Sequence, residues 1–491
     1  MTALLAAACT NGDDVGSDEG STDLSFPTTT STTTTTTTTL PPTTTSTALV
    51  TTTTEPQPPA IEWKPCGNVE CGTFDVPLDH DDPTGATVEL SLVRVTATDP
   101  TNRIGSLFVN FGGPGAGATV RVSGGFRLPP ESSRRFDLIG WDPRGVGSSD
   151  PVACATEFLS FLALDQGPDD EAEQLALDEA AAGIAAECAE EEGDRLAHLS
   201  TDDVVRDLDL LRQAVGDDQL NYLGLSYGTL IGLRYAELFP DRTRALALDG
   251  MIDPQDDLVT WLSGQAVAFE AAIQRMLDAC PDQEVCGPDA YDTLAADVET
   301  LPLVTDDGPV GPSELAQAAL TSVYLRSRWP VFHEALSVGY TRGSGIVLRE
   351  VVSSYLTFDF ASYLAVECVD LPRPIDEVAW AEFADEMAIL APRIGSVVAN
   401  ELLPCVFWPE SPQPDAKPLG PTTAPILVVG TTGDPATPYE DAVAIAERYP
   451  TAHLLTRDGE GHTALVVSRC VQDTIDLFMT ELELPSADLV C

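Results

Sequence analysis

The chain has 491 residues, of which 43% are hydrophobic, so it can bury a sizeable core and hold more than one domain. Its 25 Lys and Arg against 78 Asp and Glu give a net charge of −53, and a field of that sign repels phosphate backbones and anionic lipid. Nucleic acid is therefore excluded as a partner. No apolar run approaches the ~20 residues that a membrane-spanning helix needs, so the chain is predicted not to span a membrane.

The N-terminal segment is predicted to serve export and attachment. Residues 1–9 end in small residues followed by Cys9, which is similar to the end of a bacterial lipoprotein signal, where the cysteine is acylated. A basic region and most of the apolar region of such a signal are missing, so two explanations stay open: a start further upstream, or an incidental Cys9. Residues 10–60, rich in Thr and Pro, are predicted to form a disordered stalk, either O-glycosylated or unmodified. Contact with a membrane is expected only through a lipid on Cys9.

Strand-like and helical segments alternate after the stalk. Residues 87–97 alternate polar and apolar side chains, as in a strand with one solvated face, whereas 105–111 and 136–141 are short and apolar, as in strands buried on both faces. A helix is predicted over 201–215 with Thr201 as its N-cap. The later predicted elements are a strand at 220–225, a helix at 227–239, strands at 245–249 and 426–430, and a helix at 439–448. This alternation predicts an α/β fold, with a mostly parallel sheet and helices on both faces.

Residues 255–420 are predicted to form a mainly helical cap inserted into that fold. The predicted helices of the cap are 269–279, 291–301, 313–338 and 377–390. A shorter acidic helix is predicted at 171–192, where it interrupts the core. The core is thus expected in two parts, 61–254 and 421–491, on either side of the cap.

Ten cysteines remain when Cys9 is set aside, and they do not show the CxxC pairs of metal sites. An even number in an exported chain indicates disulfides, whereas scattered buried thiols would indicate a cytosolic protein. Connectivity does not follow from spacing, but loop closure costs least between near neighbours. Sequential pairing is therefore predicted: Cys66–Cys71, Cys154–Cys188, Cys280–Cys286, Cys368–Cys405 and Cys470–Cys491.

A candidate nucleophile is Ser226, in the sequence GLSYG at 224–228. The pattern G-x-S-x-G between a strand and a helix forms a sharp turn that raises the serine hydroxyl at the carboxyl ends of the strands. The glycines are needed because side chains there would clash with the strained backbone. Without the predicted strand and helix around it the pattern would be weak, since Gly and Ser are common in turns.

A serine hydroxyl also needs a base and an orienting carboxylate. Of the five histidines, His462 lies in GEGH, in a loop between a strand and the last helix, whereas the others lie before Ser226, in the cap or inside an apolar strand. Asp434 lies in GDPATP, just past the strand 426–430. The order Ser226, Asp434, His462 is the order of the α/β-hydrolase triad. A turn aspartate and a surface histidine are the alternatives.

The sequence NFGGPG at 110–115 follows a buried strand, where this fold needs a second donor for the oxyanion. Adjacent glycines let the main chain approach a substrate closely. The N–H groups of Gly113 and Tyr227 are therefore predicted to form the oxyanion hole, with a plain glycine-rich turn as the alternative. The sequence WDPRGVGSS at 141–149 is predicted to be a structural turn that braces this wall.

Taken together, the motifs NFGGPG, DPRGVGSS, GLSYGT, LDGMIDP, GDPATP and GEGH resemble the tripeptidyl aminopeptidase and proline iminopeptidase group of secreted α/β-hydrolase serine peptidases. The resemblance covers residue 105 to the C-terminus and implies the α/β-hydrolase fold, a helical cap and a C-terminal region like that of tripeptidyl aminopeptidase (TAP-like). Thr437 matches the family's D-P-x-T, where the hydroxyl is implied to support the aspartate loop. Phe111 departs from the family, which more often has His or Pro there, and is expected to reshape the leaving-group side of the pocket.

The resemblance also implies that acidic side chains of the cap bind the free α-amine of the substrate. Glu367 and Asp370, which flank Cys368, are the candidates, and a solvated surface role is the alternative for both.

The sequence thus predicts an exported serine aminopeptidase that releases short N-terminal peptides or amino acids from a peptide with a free N-terminus, through an acyl-enzyme and without metal or cofactor. A carboxylesterase is the first alternative, because the same triad cleaves esters. An inactive cell-surface binding protein is the second, and three filled triad positions speak against it. The oligomeric state is left open.

Overall fold

The computed structural model describes residues 60–305, 308–355, 359–370, 376–409, 422–486 and 489–491. The predicted lipoprotein signal and nearly all of the predicted stalk lie outside these residues, and both stay predictions. Within the described ranges, no helix is long and apolar enough to cross a membrane. Sheet and cap belong to one compact unit.

The sheet has nine strands among the described residues, in the order β1-β2-β3-β5-β4-β6-β7-β8-β9. The strands are β1 (Lys64–Cys66), β2 (Val69–Pro77), β3 (Thr87–Val95), β4 (Gly105–Asn110), β5 (Phe136–Trp141), β6 (Leu220–Leu225), β7 (Thr243–Asp249), β8 (Ile426–Gly433) and β9 (Ala452–Glu460). β1, β2 and β3 join the sheet by antiparallel pairing, and all neighbours from β5 to β9 pair in parallel. The predicted mostly parallel sheet is confirmed.

The α-helices are α1 (Ala118–Ser123), α2 (Pro130–Arg135), α3 (Phe158–Leu162), α4 (Glu171–Glu192), α5 (Thr201–Ala214), α6 (Tyr227–Leu238), α7 (Leu258–Asp278), α8 (Gln283–Cys286), α9 (Pro288–Thr300), α10 (Pro312–Val323), α11 (Trp329–Arg342), α12 (Ile346–Tyr355), α13 (Phe360–Asp370), α14 (Glu377–Leu390), α15 (Gly395–Asn400), α16 (Tyr439–Arg448) and α17 (Arg469–Glu481). Short 3₁₀ helices cover Pro100–Asn102, Gly193–His198, Pro240–Arg242, Arg326–Arg328 and Leu403–Phe407.

The sheet is covered by helices on both faces. Strands β4, β5 and β6 are buried along their whole length, as their continuous apolar runs predict. On one face the core includes Leu208 of α5, Ile231 of α6 and Ile445 of α16. On the other face it includes Val122 of α1 and Phe478 of α17. This is the layered architecture that the alternation of strands and helices predicts.

The cap is built from two stretches of the chain. Helices α7 to α15 lie between β7 and β8, as predicted for a mainly helical insertion. Leu177 and Ile184 of α4, which precedes β6 in sequence, belong to the same buried cluster as Phe269, Leu320 and Phe332 of the insertion. The acidic helix that interrupts the core is therefore part of the cap.

Two predicted helix features are wrong. The segment 313–338 is not one helix: α10 ends at Val323, Leu325 is extended (φ −138°, ψ 122°), and α11 begins at Trp329. Pro330, in the first turn of α11, has no N–H to continue a preceding helix. The N-cap of α5 is Ser200 and not Thr201, because the Ser200 Oγ accepts from the Asp203 N–H (3.2 Å).

The five predicted disulfides are all present among the described residues, with the predicted sequential pairing. Three of them lie in the cap or join its pieces, at Cys154–Cys188, Cys280–Cys286 and Cys368–Cys405. Several disulfides in one chain are typical of oxidising compartments.

Candidate active site

Ser226 lies in the sharp turn between β6 and α6. Its backbone has φ 55° and ψ −129°, an unfavourable conformation for a residue with a side chain. The turn depends on the glycines beside it, because a Cβ at Gly224 would lie 2.3 Å from the Gly228 oxygen and one at Gly228 would lie 2.8 Å from Asn110 Oδ1. The Ser226 N–H donates to the Asp249 carbonyl at the end of β7 (2.9 Å). The turn thus holds Ser226 at the carboxyl end of the parallel strands.

His462 and Asp434, two of the predicted site residues, form a hydrogen-bonded pair. His462 Nδ1 is 2.8 Å from Asp434 Oδ1 and 3.1 Å from Oδ2. The pair is largely shielded from water, with the His462 side chain 11% exposed and that of Asp434 0% exposed. A carboxylate that accepts from Nδ1 leaves Nε2 as the ring nitrogen that can take up or donate a proton.

Main-chain donors fix the Asp434 carboxylate. Its Oδ1 accepts from the N–H groups of Ala436 and Thr437 (both 3.0 Å), and its Oδ2 accepts from that of Thr463 (3.0 Å). The Thr437 hydroxyl lies 3.3 Å from His462 Nδ1, on the same side of the ring as the carboxylate. The tight loop at 434–438 therefore sets the position of the carboxylate, and the Thr437 side chain contacts the histidine itself.

The pKa of His462 is shifted by two opposing effects. Burial lowers the pKa of the imidazole, whereas the Asp434 charge, its hydrogen bond and the charge of Asp249 raise it. The carboxylates outweigh burial, so the pKa of His462 lies above its usual value of 6.5.

The segment at the end of β7 brings Ser226 and His462 to the same place. Gly250 follows Asp249, whose carbonyl binds Ser226, and a Cβ at Gly250 would lie 3.3 Å from His462 Cε1 and 2.9 Å from Thr437 Oγ1. Its φ of +78° also favours glycine. The nucleophile candidate and the His–Asp pair therefore converge on the backbone at 249–250, from three separate stretches of sequence.

Asp249 is a site residue that sequence reasoning missed. Its carboxylate is fully buried and accepts from the N–H groups of Ala464 (2.9 and 3.0 Å) and Leu465 (2.7 Å), two and three residues after His462. Burial raises its pKa to about 6 against those hydrogen bonds, which lower it. An aspartate at the end of an apolar strand, in the motif LDGMIDP, was the signal that could have marked it. Asp249 holds the histidine loop in place.

The predicted oxyanion donors lie beside Ser226. Gly112 has φ +84°, and a Cβ there would lie 2.7 Å from Ser226 Cβ and 3.1 Å from the Tyr227 nitrogen; Gly113 has φ +105°. A side chain at Gly112 would fill the space next to the serine, whereas a Cβ at Gly113 would lie 2.7 Å from the Gly115 nitrogen and 2.9 Å from that of Ala116. Within the described part of the chain, no protein oxygen accepts from the N–H of Gly113 or Tyr227. Their role as an oxyanion hole stays a prediction.

The turn at 141–149 has the contacts of a structural element. Arg144 is fully buried, its guanidinium donates to Asp207 (2.6 and 2.7 Å) and it also reaches the carbonyls of Leu78 and His198. These bonds tie the turn to the strand edge and to α5, as its predicted bracing role requires.

The predicted amine-binding acids lie on α13 in the cap. Glu367 is 4% exposed, which excludes a solvated surface role for this side chain. Burial first, and then the charges of Asp370 and Glu401, raise its pKa well above the usual value. The Asp370 carboxylate binds Thr201 through the backbone N–H (2.7 Å) and the side-chain hydroxyl, and burial raises its pKa to about 7. Asp370 is thus occupied by the N-terminus of α5.

Glu401 and Tyr324 connect these acids with the histidine, and neither was predicted. The Tyr324 ring contacts His462 edge to face at 5.4 Å, and its carbonyl accepts from the His462 N–H (2.9 Å). Burial, and next the charges of Glu401 and Asp434, raise the pKa of Tyr324. Glu401 also accepts a hydrogen bond from Tyr363. No local sequence pattern marks either residue, because the loops that bring them together are far apart in the chain.

Comparisons with known proteins agree with this architecture. The family described as "alpha/beta hydrolase fold" matches residues 108–289, and the family described as "TAP-like protein" matches residues 391–491, beginning inside the predicted cap. The tripeptidyl aminopeptidase of Streptomyces lividans is 31% identical over 88% of this chain and 86% of its own length. The serine protease Hip1 of Mycobacterium tuberculosis is 32% identical over 88% of this chain and 91% of its own. A protein of the same organism named carboxylesterase B is 34% identical over 86% of each chain.

The parallel sheet, the strained serine turn and the His–Asp pair at the carboxyl ends of the strands define an α/β-hydrolase. Within that class, the chain belongs to the serine peptidase family of the tripeptidyl aminopeptidases, with the TAP-like C-terminal region. The resemblance found in the sequence motifs is confirmed.

Proposed function

We propose that the protein is an exported aminopeptidase that releases short N-terminal peptides or amino acids by acyl transfer. Ser226 attacks the scissile carbonyl, and His462 Nε2 takes the hydroxyl proton and then gives it to the departing amine. Asp434 holds the imidazole in the tautomer with the proton on Nδ1 and stabilises the imidazolium. Water then hydrolyses the acyl-enzyme with His462 as the base.

The N–H groups of Gly113 and Tyr227 stabilise the oxyanion of the tetrahedral intermediate, each by ~3 kcal/mol when the donors are preorganised. The backbone around Gly112, with φ +84° and a close approach to Ser226, supports this role. The reaction requires no metal and no cofactor in this scheme, because each proton and charge has a protein group to receive it.

One observation carries the aminopeptidase proposal over other serine hydrolase activities: the buried cap acid Glu367 is subject to the charge of a second acid, Glu401, which also acts on Tyr324 beside the histidine. Burial raises the pKa of Glu367, and the charges of Asp370 and Glu401 raise it further. Burial also raises the pKa of Tyr324, whose ring contacts His462, and Glu401 adds to that shift. The charges that act on Glu367 among the described residues are all negative. A substrate α-ammonium placed there would relieve that repulsion and compensate for burial.

Glu401, and not Asp370, is the second acid that binds the amine together with Glu367. Both oxygens of Asp370 are engaged by Thr201, so a substrate amine would have to compete with the N-terminus of α5. Asp370 is better placed to hold α13, and with it Glu367, against the hydrolase core.

Peptides with free and acetylated N-termini test the proposal. We expect the wild-type protein to cleave a free tripeptide p-nitroanilide at least 100-fold faster, in kcat/KM, than its acetylated form. Glu367→Gln and Glu401→Gln are each expected to lower that preference at least tenfold, since a buried charge pair is then lost. Glu382→Gln, an exposed acid on α14, is the matched control and should keep the wild-type preference.

A short-chain ester added to the same assay addresses the second candidate. The carboxylesterase function stays the second candidate because a relative that is 34% identical is named carboxylesterase B. Equal cleavage of free and blocked peptides would contradict the aminopeptidase proposal, and hydrolysis of the ester with no cleavage of either peptide would favour an esterase.

We also propose that the protein acts outside the cytoplasm. Five disulfides among the described residues support an oxidising compartment. Lipid attachment at Cys9 is the finer proposal. Detergent partitioning of the expressed chain tests it: the wild-type chain should enter the detergent phase and Cys9→Ser should not, whereas equal partitioning would contradict acylation.

A further inference from the structure

A cavity of about 510 Å³ opens beside His462, between the cap and the carboxyl end of the sheet. The cap contributes its wall at Tyr324–Ser327, and the core contributes residues from Arg457 to Val467. The two walls are joined by the hydrogen bond from the His462 N–H to the Tyr324 carbonyl (2.9 Å) and by a bridge between Leu325 and Gly461. The lining includes His462 but not Ser226, Tyr227 or Glu367. The cavity is therefore on the histidine side of the site, away from the proposed oxyanion donors and amine site.

Two arginines face this cavity in a chain that has few cations. Arg326 and Arg457 both line it, and among the described residues neither has a carboxylate within ion-pair distance. Most other arginines of the described residues are paired with Asp or Glu. The acid in the lining, Glu460, is already matched by Arg275, which donates to it from Nε (2.8 Å) and Nη2 (2.9 Å). The positive charge of the two lining arginines is thus left uncompensated by the protein.

Both guanidinium groups are held by contacts that leave donors available. Arg326 stacks on Trp329, with Cζ 3.7 Å from the ring centroid. Arg457 donates from Nη1 to the carbonyl of Glu460 (3.0 Å). Glu460 is the last residue of β9 and directly precedes the loop that carries His462. A guanidinium has five N–H donors, so each still has several to offer a ligand. Stacking and main-chain anchoring reduce the side-chain entropy that would be lost on binding.

The order of proton transfers in the reaction indicates which half of the substrate would reach this cavity. In acyl transfer the leaving amine takes its proton from the histidine, so the C-terminal half of a substrate peptide passes the imidazole as it departs. The cavity is lined by the histidine and by its two chain neighbours, Gly461 and Thr463, and is therefore open to a group that leaves past the imidazole. A guanidinium group recognises a carboxylate through two parallel N–H···O bonds.

We propose that Arg326 and Arg457 form a subsite that binds a carboxylate on the leaving-group half of the peptide substrate. The inference rests on the proposed peptidase function and deepens it by naming a charge requirement on the far side of the scissile bond. The carboxylate can be the C-terminus of a short peptide or the side chain of Asp or Glu. An enzyme with this subsite prefers oligopeptides over arylamides, and short peptides with a free C-terminus over long chains that continue past the cavity.

Three pentapeptides with the same first three residues separate the two sources of the carboxylate: Ala-Ala-Ala-Ala-Ala as the free acid, the same peptide as its C-terminal amide, and Ala-Ala-Ala-Ala-Glu as its amide. We expect the wild-type protein to cleave the free acid about tenfold faster, in kcat/KM, than the alanine amide. The glutamate amide shows whether a side-chain carboxylate serves as well.

The double variant Arg326→Met/Arg457→Met is expected to reduce the acid-to-amide ratio to within about twofold of one. The ratio is taken within each variant, so a general loss of activity does not imitate the effect. Arg342→Met, an exposed arginine on α11, is the matched control and should keep the wild-type ratio. A wild-type ratio near one, or a double variant that keeps the wild-type ratio, would overturn the subsite.

Calorimetry of the product keeps this test independent of catalysis. The dipeptide Ala-Ala and its amide are titrated into the wild-type protein and the double variant at 0.15 M salt. The subsite predicts that the wild-type protein binds the acid at least fivefold more tightly than the amide and that the double variant does not. Equal binding of both by the wild-type protein overturns the subsite, whereas failure to cleave any peptide with this binding preference intact would overturn only the proposed peptidase function.

Discussion

Replacing Asp434 by asparagine tests the His–Asp pair with the smallest change of shape. Four donors make five contacts with the carboxylate. Oδ1 accepts from His462 Nδ1 and from the N–H groups of Ala436 and Thr437, and Oδ2 accepts from His462 Nδ1 and from the Thr463 N–H. An amide has one acceptor oxygen and one donor nitrogen. In either orientation, its NH₂ group therefore faces an N–H of the loop or the histidine Nδ1.

Each orientation of the amide places its nitrogen against a hydrogen-bond donor, and one of the two also changes the tautomer of His462. If the asparagine oxygen keeps the donors at 436 and 437, its nitrogen opposes the Thr463 N–H; if the group flips, the nitrogen donates to His462 Nδ1 and places the ring proton on Nε2. Nε2 then cannot accept the Ser226 proton. A loss of about 10⁴-fold in kcat, or ~5 kcal/mol of barrier, is expected from the wrong tautomer alone. Removal of the Asp434 charge and of its hydrogen bond also lowers the pKa of His462 relative to the wild type, because burial is then opposed only by the charge of Asp249.

The assay is hydrolysis of a tripeptide p-nitroanilide by Asp434→Asn, with thermal unfolding to show that the variant is folded. Asp458→Asn is the matched control, because this exposed aspartate, two residues from the end of β9, contacts the Thr432 hydroxyl (3.1 Å). The control is expected to stay within twofold of the wild-type kcat. If Asp434→Asn, correctly folded, kept more than a tenth of the wild-type kcat, the tautomer argument would be refuted.

Three further predictions concern the surroundings of the pair. Gly250→Ala should lose at least 100-fold in kcat because its Cβ would displace His462, whereas Gly216→Ala, with a similar φ (+84° against +78°) but no atom within 4 Å of the new Cβ, should lose only ~1 kcal/mol of stability and keep its activity. The neutral imidazole is the base, so kcat/KM should rise with pH through a pKa above 6.5, and a limb centred below pH 6 in the profile would contradict the raised pKa of His462. Asp249→Asn should lower the free energy of unfolding by ~1–3 kcal/mol at pH 7, because an amide cannot accept from all the N–H groups that the carboxylate binds. The difference from wild type should grow as the pH falls through 6, because the carboxyl, with its pKa raised to about 6, takes up its proton in the folded protein before it does in the unfolded chain and so stabilises the wild type; a gap that does not change with pH would refute the assigned pKa.

Much of the sheet could be predicted because its strands are short apolar runs with clear borders. β5 and β6 match their predicted bounds, as do α4, α14 and α16. The break at Leu325 was missed because α10 and α11 share an apolar helical pattern, and only the proline in the first turn of α11 hints at two helices. The pairing of the first strands was not predicted, since it depends on contacts across the sheet edge.

The same difference between local sequence patterns and long-range contacts applies to the candidate site. Ser226, Asp434 and His462 lie in motifs where a local backbone shape dictates the residue types, so the sequence carries their signal. Asp249 acts on residues more than 200 positions away, and Glu401 reaches the site only through the packing of the cap. No local pattern records such contacts.

Covalent labelling of the nucleophile tests the central claim most directly. A fluorophosphonate reacts only with a serine whose proton a base can accept, so intact mass and peptide mapping report the activated hydroxyl. The structure leads us to expect one label per chain, on Ser226, with no labelling of Ser226→Ala and at least 100-fold slower labelling of His462→Ala. A label on another residue, or equal labelling of wild type and Ser226→Ala, would contradict the assignment of Ser226 as the nucleophile.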